Sequence, residues 1–186
     1  MSINIHTSVP LLQETLARAL ALRGNPYTRV ACSVVIDIPR GWIWSNAYWL
    51  RSDSTVVISD NPCPEYKLDL MLLKPAALID QFTSSALLEA VCAVEAGQTM
   101  LPDVSSVLTP TERLTLRLVA NGHSVKAVAA VRGTKLTTTR NTIQTLYTKL
   151  GLKSAVQLAL YYYGHWATLP NFDDFMSGAP GERDNK

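Results

Sequence analysis

Apolar runs alternate with amphipathic segments along the first 107 residues. The runs are rich in β-branched residues and predict strands that are buried on both faces, whereas the segments between them have the apolar spacing of helices. Strands that alternate with helices form parallel sheets, so this part of the chain predicts an α/β domain. The predicted strands cover residues 3–5, 32–36, 55–59 and 76–79, and the predicted helices cover residues 10–21 and 87–97, the second of them capped by Ser84 or Ser85.

Residues 108–164 carry helical signals from one end to the other. Thr109 and Glu112 form a capping box with Pro110 at the first helical position, and Asn121-Gly122 is a stop signal. The second helix is capped by Ser124 and ends at Gly133, and we expect its inward-facing residues to be Val125, Val128, Ala129 and Val131.

A longer third helix begins near Leu136 or Thr137 and ends at Gly151, and Ser154 opens a fourth helix. Two short helices joined by a tight turn, the second followed by a longer helix with a polar outer face, are typical of a helix-turn-helix. The apolar stripe of the third helix consists of Thr139, Ile143, Leu146 and Leu150.

Composition excludes several classes of protein. The chain has 186 residues, of which 47% are hydrophobic and 17% charged, so it can bury a real core. No apolar run approaches the roughly 20 residues of a membrane helix, and the first residues lack the features of a signal peptide. We therefore expect a protein of the cytoplasm without membrane contact, with free thiols at Cys32, Cys63 and Cys92.

Charge is divided unevenly along the chain. Residues 108–153 carry eight basic residues against Glu112 alone, a net charge of +7, whereas the other residues carry −5. This division favours a domain that binds a polyanion such as nucleic acid; a solvated basic face is the alternative.

Residues 108–152 resemble the DNA-binding domain of LuxR/NarL/FixJ-type transcription regulators. The resemblance runs without a gap through LTPTE, Leu116-Arg117-Leu118, Ala120-Asn121-Gly122, Ser124, Gly133, Thr138 and Lys149-Leu150-Gly151-Leu152. It implies an all-α, four-helix helix-turn-helix domain over residues 108–164 that binds double-stranded DNA. A linker over residues 104–107 then precedes it, and a flexible tail over residues 165–186 follows it.

The resemblance also indicates site residues. The core stripe of the third helix leaves Arg140, Asn141 and Gln144 on the opposite face, at positions that LuxR-type proteins use for base contact; solvated helix residues are the alternative. The expected phosphate contacts are Lys126, Arg132, Lys135, Thr138 and Lys149. The expected dimer contacts on the fourth helix and before it are Leu152, Val156, Leu160 and Tyr163.

Four positions depart from the family pattern. The family has an apolar residue at Thr134, a small capping residue at Lys135, Val or Ile at Thr139, and Glu at Ala127. Each departure removes on the order of 0.5–1.5 kcal/mol of core or capping energy, so we expect a looser start of the recognition helix.

Residues 1–103 resemble a degenerate receiver domain of response regulators, most clearly at residues 2–16 and 83–102. The short spacing before Asp37 predicts that one β-α unit has been lost or reduced. Asp37 matches the phosphoacceptor position and Ser59 the switch hydroxyl, yet Thr7-Ser8 stand in place of the acidic pair and Asp80 in place of the lysine. Because phosphoryl transfer needs Mg²⁺ and carboxylates that hold it, we expect Asp37 to be an inactive, ordinary strand-end aspartate.

No motif points to catalysis, so we expect no enzyme activity, no cofactor and no metal; His6, His123 and His165 lie far apart. Aromatic residues at Trp42, Trp44, Tyr48 and Trp49 favour packing over a ligand pocket. The chain is similar to phosphorylation-independent auxiliary activators of enteric bacteria, which implies a sequence-specific transcription regulator that binds DNA as a dimer in the bacterial nucleoid. The alternative is an auxiliary regulator that acts mainly by pairing with another response regulator, as a heterodimer instead of a homodimer.

Overall fold

The computed structural model describes residues 3–22, 32–46 and 54–169, with the side chains of residues 19–22 left out. The chain divides into two compact units, Met1–Ser105 and Ser106–Lys186. No helix of the described ranges is long and apolar enough to cross a membrane.

The first unit contains a parallel sheet whose four strands follow chain order. Flavodoxin-like domains have the strand order 2-1-3-4-5, and this order without its second strand becomes the sequential order seen in the described residues. The predicted α/β class and the shortened receiver-like sheet are therefore confirmed. The strands are β1 (Asn4–His6), β2 (Ser33–Ile36), β3 (Thr55–Ile58) and β4 (Ala77–Ile79).

Burial explains why these short runs form strands. Residues of β2, β3 and β4 are almost all buried, because the sheet is covered on both faces and β-branched side chains pack well on a pleated surface. The core also includes Leu87, Ala90, Val91 and Val94 from the last helix of the unit.

Four helices accompany this sheet: α1 (Pro10–Leu22), α2 (Trp42–Ser45), α3 (Pro64–Met71) and α4 (Ser84–Glu95). Helices α1 and α4 were predicted from the sequence, whereas α2 and α3 were not. The cap of α4 was also assigned wrongly, since the Thr83 hydroxyl, not that of Ser84 or Ser85, accepts from the amide of Ala86 at 3.2 Å.

The aromatic cluster around α2 is partly described. The Trp44 ring meets the Tyr66 ring edge-on with centroids 5.6 Å apart, as expected for packing. Tyr48 and Trp49, which the sequence analysis grouped with it, lie outside the described residues.

The second unit is helical: α5 (Pro110–Ala120), α6 (Val125–Arg132), α7 (Leu136–Leu150) and α8 (Ala155–Tyr162). The predicted capping box at Thr109 and Glu112 and the serine caps at Ser124 and Ser154 are confirmed. Gly133 and Gly151 end α6 and α7 with positive φ angles of 62° and 64°, which glycine adopts without strain.

One expectation about the second unit is corrected. Val131 does not face the core, because 60% of it is exposed. At the beginning of the predicted tail, a short 3-10 helix covers Trp166–Thr168; the Trp166 indole donates to the carbonyl of Tyr161 in α8 at 2.9 Å, and Leu169 is buried. The remainder of the predicted flexible tail, residues 170–186, lies outside the described residues.

Candidate nucleic-acid interface

Helix α7 has one buried and one exposed face. The four predicted stripe residues, Thr139, Ile143, Leu146 and Leu150, are its buried residues. Arg140, Asn141 and Gln144 are exposed on the other side. Within the described residues their side chains make no hydrogen bond or ion pair, so they are available to a ligand.

Three threonines in the middle and at the end of α7 bond to the backbone of their own helix. The hydroxyls of Thr142, Thr145 and Thr148 donate to the carbonyl oxygens four residues earlier at 3.0, 3.0 and 3.1 Å. Their hydroxyl protons are therefore used locally, and the base-reading donors that this face offers to a ligand are the guanidinium of Arg140 and the amides of Asn141 and Gln144.

The turn before α7 contains a hydroxyl pair. The Oγ1 atoms of Thr134 and Thr139 lie 2.9 Å apart, with Thr139 fully buried and Thr134 half-buried. These are two of the four positions that depart from the family pattern. The two departures thus compensate each other, since a hydrogen bond joins the residues where the family has apolar ones.

The start of α7 lacks a side-chain cap. Lys135 is the N-cap residue, and its side chain accepts no hydrogen bond from the backbone. A lysine ammonium carries donors only, so it cannot satisfy the amides of the first turn. This agrees with the expectation of a weakly capped recognition helix.

The predicted phosphate contacts do not form one group. Lys126, Lys135 and Thr138 are exposed at α6 and at the beginning of α7. Arg132 is half-buried instead, and its guanidinium donates to the Thr142 hydroxyl at 3.3 Å. This bond links the end of α6 to the side of α7.

Lys149 lies at the far end of α7. Its ammonium is 2.8 Å from Glu112 Oε2 and donates to the Val107 carbonyl at 3.4 Å. Burial raises the pKa of Glu112, but hydrogen bonds from Lys149 and Thr109 outweigh it and hold this pKa below its usual value. Because Lys149 follows the N-cap Lys135 by 14 residues, about 21 Å of helix separates the two. The structure therefore ties Lys149 to the capping box of α5.

The predicted dimer residues fall into two groups, those exposed on α8 and those engaged within the domain. Val156 is 69% exposed and Leu160 is half-buried on the same side of α8. Leu152 is 7% exposed and belongs to the core. The Tyr163 hydroxyl donates to Asn121 Oδ1 at 2.6 Å, which joins the end of α8 to the end of α5.

In the first unit, Asp37 follows β2 and is completely buried. Its Oδ1 accepts from the amides of Gly41 and Ile43, both at 3.1 Å. Its Oδ2 accepts from the hydroxyls of Ser59 at 3.0 Å and Tyr66 at 2.6 Å. Burial raises the pKa of Asp37, and these four hydrogen bonds oppose the rise. Both carboxylate oxygens are occupied by protein donors.

Ser8, Thr7 and Asp80, which stand in place of the acidic pair and the lysine of receiver domains, each make contacts of their own. The Ser8 hydroxyl donates to the Ile38 carbonyl, and the Thr7 hydroxyl accepts from the Val9 amide at 3.2 Å. Asp80 forms an ion pair with Lys67 at 2.9 Å, and the resulting hydrogen bond lowers the pKa of Asp80. No group of three His, Cys, Asp or Glu residues within the described ranges has the arrangement of a metal site.

Ser59, which matches the switch hydroxyl of receiver domains, bonds to Asp37, whereas Tyr66 was not predicted from the sequence. Tyr66 lies on α3, a helix that was not predicted, and 29 residues separate it from Asp37. No local signal could have found this contact.

Comparison with known proteins identifies the second unit. Residues 106–162 match the luxR family of bacterial regulatory proteins, and this part of the chain is a LuxR-type helix-turn-helix domain. No curated protein matches the chain significantly.

Two solved structures align with nearly the whole chain. RcsB from Salmonella enterica serovar Typhimurium, bound to promoter rprA in the presence of the phosphomimetic BeF3-, has a TM-score of 0.50 at 19% identity over 87% of this chain and 98% of that chain. RcsB from the same organism, bound to promoter P1flhDC in the presence of BeF3-, has a TM-score of 0.50 at 18% identity over 89% and 98%. At this identity the likeness shows the fold, a receiver-like domain followed by a LuxR-type domain.

Proposed function

We propose that this chain is a sequence-specific, DNA-binding transcription regulator of the bacterial cytoplasm. The observation that carries the proposal is the exposed group of Arg140, Asn141 and Gln144 on α7, opposite its buried stripe. A recognition helix enters the major groove with its N-terminal residues at the base edges. Arg binds guanine, and Asn or Gln binds adenine, with two hydrogen bonds each.

Exposed cations at the beginning of the helix-turn-helix support the same proposal. Lys126 and Lys135, with the Thr138 hydroxyl, are free to meet phosphates and to set the register of the protein on the duplex. Arg132 and Lys149 contribute positive charge while each bonds within the domain. We therefore expect these two residues to add less to phosphate binding than Lys126.

We further propose that two copies pair through the outer side of α8. Val156 is the largely exposed apolar residue of this helix, and Leu160 lies one turn further along it. A two-fold dimer reads a pseudo-palindromic site. Both RcsB structures are complexes with promoter DNA, which is in keeping with this function.

DNA binding by this chain is proposed to be independent of phosphorylation. Asp37 is buried, and both of its oxygens accept hydrogen bonds from the protein, so neither is presented to a phosphodonor. The residues after β1 are Thr7 and Ser8, which lack the negative charge that a bound Mg²⁺ needs. Acetyl phosphate with Mg²⁺ should leave the intact mass of the protein unchanged; a mass increase located at Asp37 would contradict this part of the proposal.

The test of the main proposal uses DNA selected by the protein from a random pool. Arg140→Ala or Gln144→Ala should cost roughly 1–3 kcal/mol on the selected site and relax the preference at one base pair. Lys126→Ala should weaken binding to all sequences alike and reduce the salt slope by about one. Lys153→Ala, an exposed lysine between α7 and α8, is the matched control and should change neither property.

Two results would refute the proposal in different ways. If Arg140→Ala lowers specific and non-specific affinity by the same factor, Arg140 is a phosphate ligand and the placement of α7 in the groove is wrong. If the protein alone selects no DNA but does so after mixing with a second response regulator, the chain is an auxiliary regulator that acts by pairing.

A further inference from the structure

Leu136 is a large apolar residue at an unusual place. It is the first residue of α7, and 38% of it is exposed although the stripe of the same helix is buried. Leu136 precedes Thr139 and Ile143 by three and seven residues, so helical spacing places it beside the buried stripe, yet it is not part of the buried core and keeps an exposed apolar surface. The turn before it presents the exposed Lys135.

Helical spacing aligns Leu136 with the proposed reading residues. Residues four apart lie next to each other on a helix surface, so Leu136, Arg140 and Gln144 form one row along α7. Leu136 is the member nearest to the N-terminal end of the helix, which enters deepest into the groove of a bound duplex.

The major groove offers one kind of apolar group, the C5-methyl of thymine, among the polar edges of the bases. We propose that Leu136 is a specificity-determining residue that packs against a thymine methyl, beside the base pair that Arg140 contacts. The inference rests on the proposed function and deepens it. The cations on both sides, Lys135 and Arg140, favour a polyanion over an apolar protein surface as the partner of this side chain.

Other features of α7 agree with an apolar contact at this end. The bonds that Thr142, Thr145 and Thr148 donate to helix carbonyls begin more than a turn after Leu136. Thr137 and Thr138 are exposed next to Leu136 and suit the flanking sugar and phosphate groups.

The experiment combines protein and DNA changes in one cycle. Each thymine of the selected site is replaced in turn by deoxyuridine, which removes the methyl group and nothing else. For the wild-type protein, uracil at one position should weaken binding about fourfold, the factor expected for the burial of one methyl group. Leu136→Ala should bind the thymine and uracil sites equally, whereas Leu136→Met should keep the preference for thymine. Circular dichroism of each variant verifies that the helices are intact.

Val131→Ala is the matched control, because Val131 is 60% exposed but lies on α6. It should leave the thymine-to-uracil ratio unchanged. If no replacement of thymine by deoxyuridine weakens binding of a wild-type protein that still selects DNA through Arg140, the role of Leu136 alone is overturned. The role of Leu136 is also overturned if the preference for thymine over uracil persists in Leu136→Ala or disappears in Val131→Ala. Absence of any sequence preference in the wild-type protein would overturn the proposed function together with this inference.

Discussion

Replacing Thr134 by valine tests the hydroxyl pair that joins the turn to the recognition helix. The substitution keeps the shape of the side chain but removes one member of a 2.9 Å hydrogen bond, and the other member, Thr139, is completely buried. A buried hydroxyl that loses its partner costs about 1–3 kcal/mol. Because Thr134 is half-buried and the region can relax, we expect the free energy of unfolding of the second unit to fall by about 1–2 kcal/mol.

The double substitution decides whether the hydrogen bond is responsible. Thr139→Val alone leaves Thr134, which solvent partly reaches, so we expect a loss of about 1 kcal/mol or less. With valine at both positions no polar group remains unpaired, and stability should return to within about 0.5 kcal/mol of the wild type. The resulting interaction energy is about 1 kcal/mol or more.

The free energies of this cycle are measured by urea unfolding that is monitored through hydrogen exchange of the α7 amides. These amides report on the second unit separately from the first. Thr148→Val is the matched control: its hydroxyl bonds to its own helix, so it should not couple to Thr134→Val. If the effects of Thr134→Val and Thr139→Val add to within about 0.3 kcal/mol, the two hydroxyls do not interact and the compensation argued above is wrong.

Further predictions concern the cap of α7, acid response and pairing. Lys135→Ser supplies the missing cap and should raise the free energy of unfolding, measured with urea, by about 1 kcal/mol. An unchanged free energy of unfolding would show that the amides of the first turn already have partners. Because the pKa of Asp37 is raised from 3.8, its ionisation opposes folding as pH rises above that value, so Asp37→Asn should flatten this part of the stability curve of the first unit. The pKa of Glu112 lies below 4.5, so the stabilisation that it shares with Lys149 is present above that pH and lost as pH falls; Glu112→Gln should make urea unfolding of the second unit less sensitive to acid. Leu160→Glu should abolish cooperative binding to paired half-sites in a mobility shift and keep weak single-site binding, whereas unchanged cooperativity would place the dimer contact elsewhere.

The sequence by itself determined the helices of the second unit. Caps at Thr109, Ser124 and Ser154 act on amides two or three residues away, so the signal and its effect lie in the same short segment. The buried stripe of α7 followed in the same way from helical periodicity. The exposed position of Arg140 and its neighbours is a consequence of that stripe. The strands of the first unit were also predictable, because runs of apolar residues buried on both faces occur in parallel sheets.

Tertiary structure alone decided which polar side chains are used inside the molecule. Asp37 accepts from Ser59 and Tyr66, which lie 22 and 29 residues further along the chain, and Lys149 reaches back 37 residues to Glu112. The outward position of Val131 depends likewise on how α6 packs against its neighbours. Helical periodicity identifies one face of an element at a time, whereas a hydrogen bond between elements depends on the packing of both. The sequence therefore predicted which residues α7 exposes, and the fold determined that Lys149, Leu152 and Tyr163 are held within the domain.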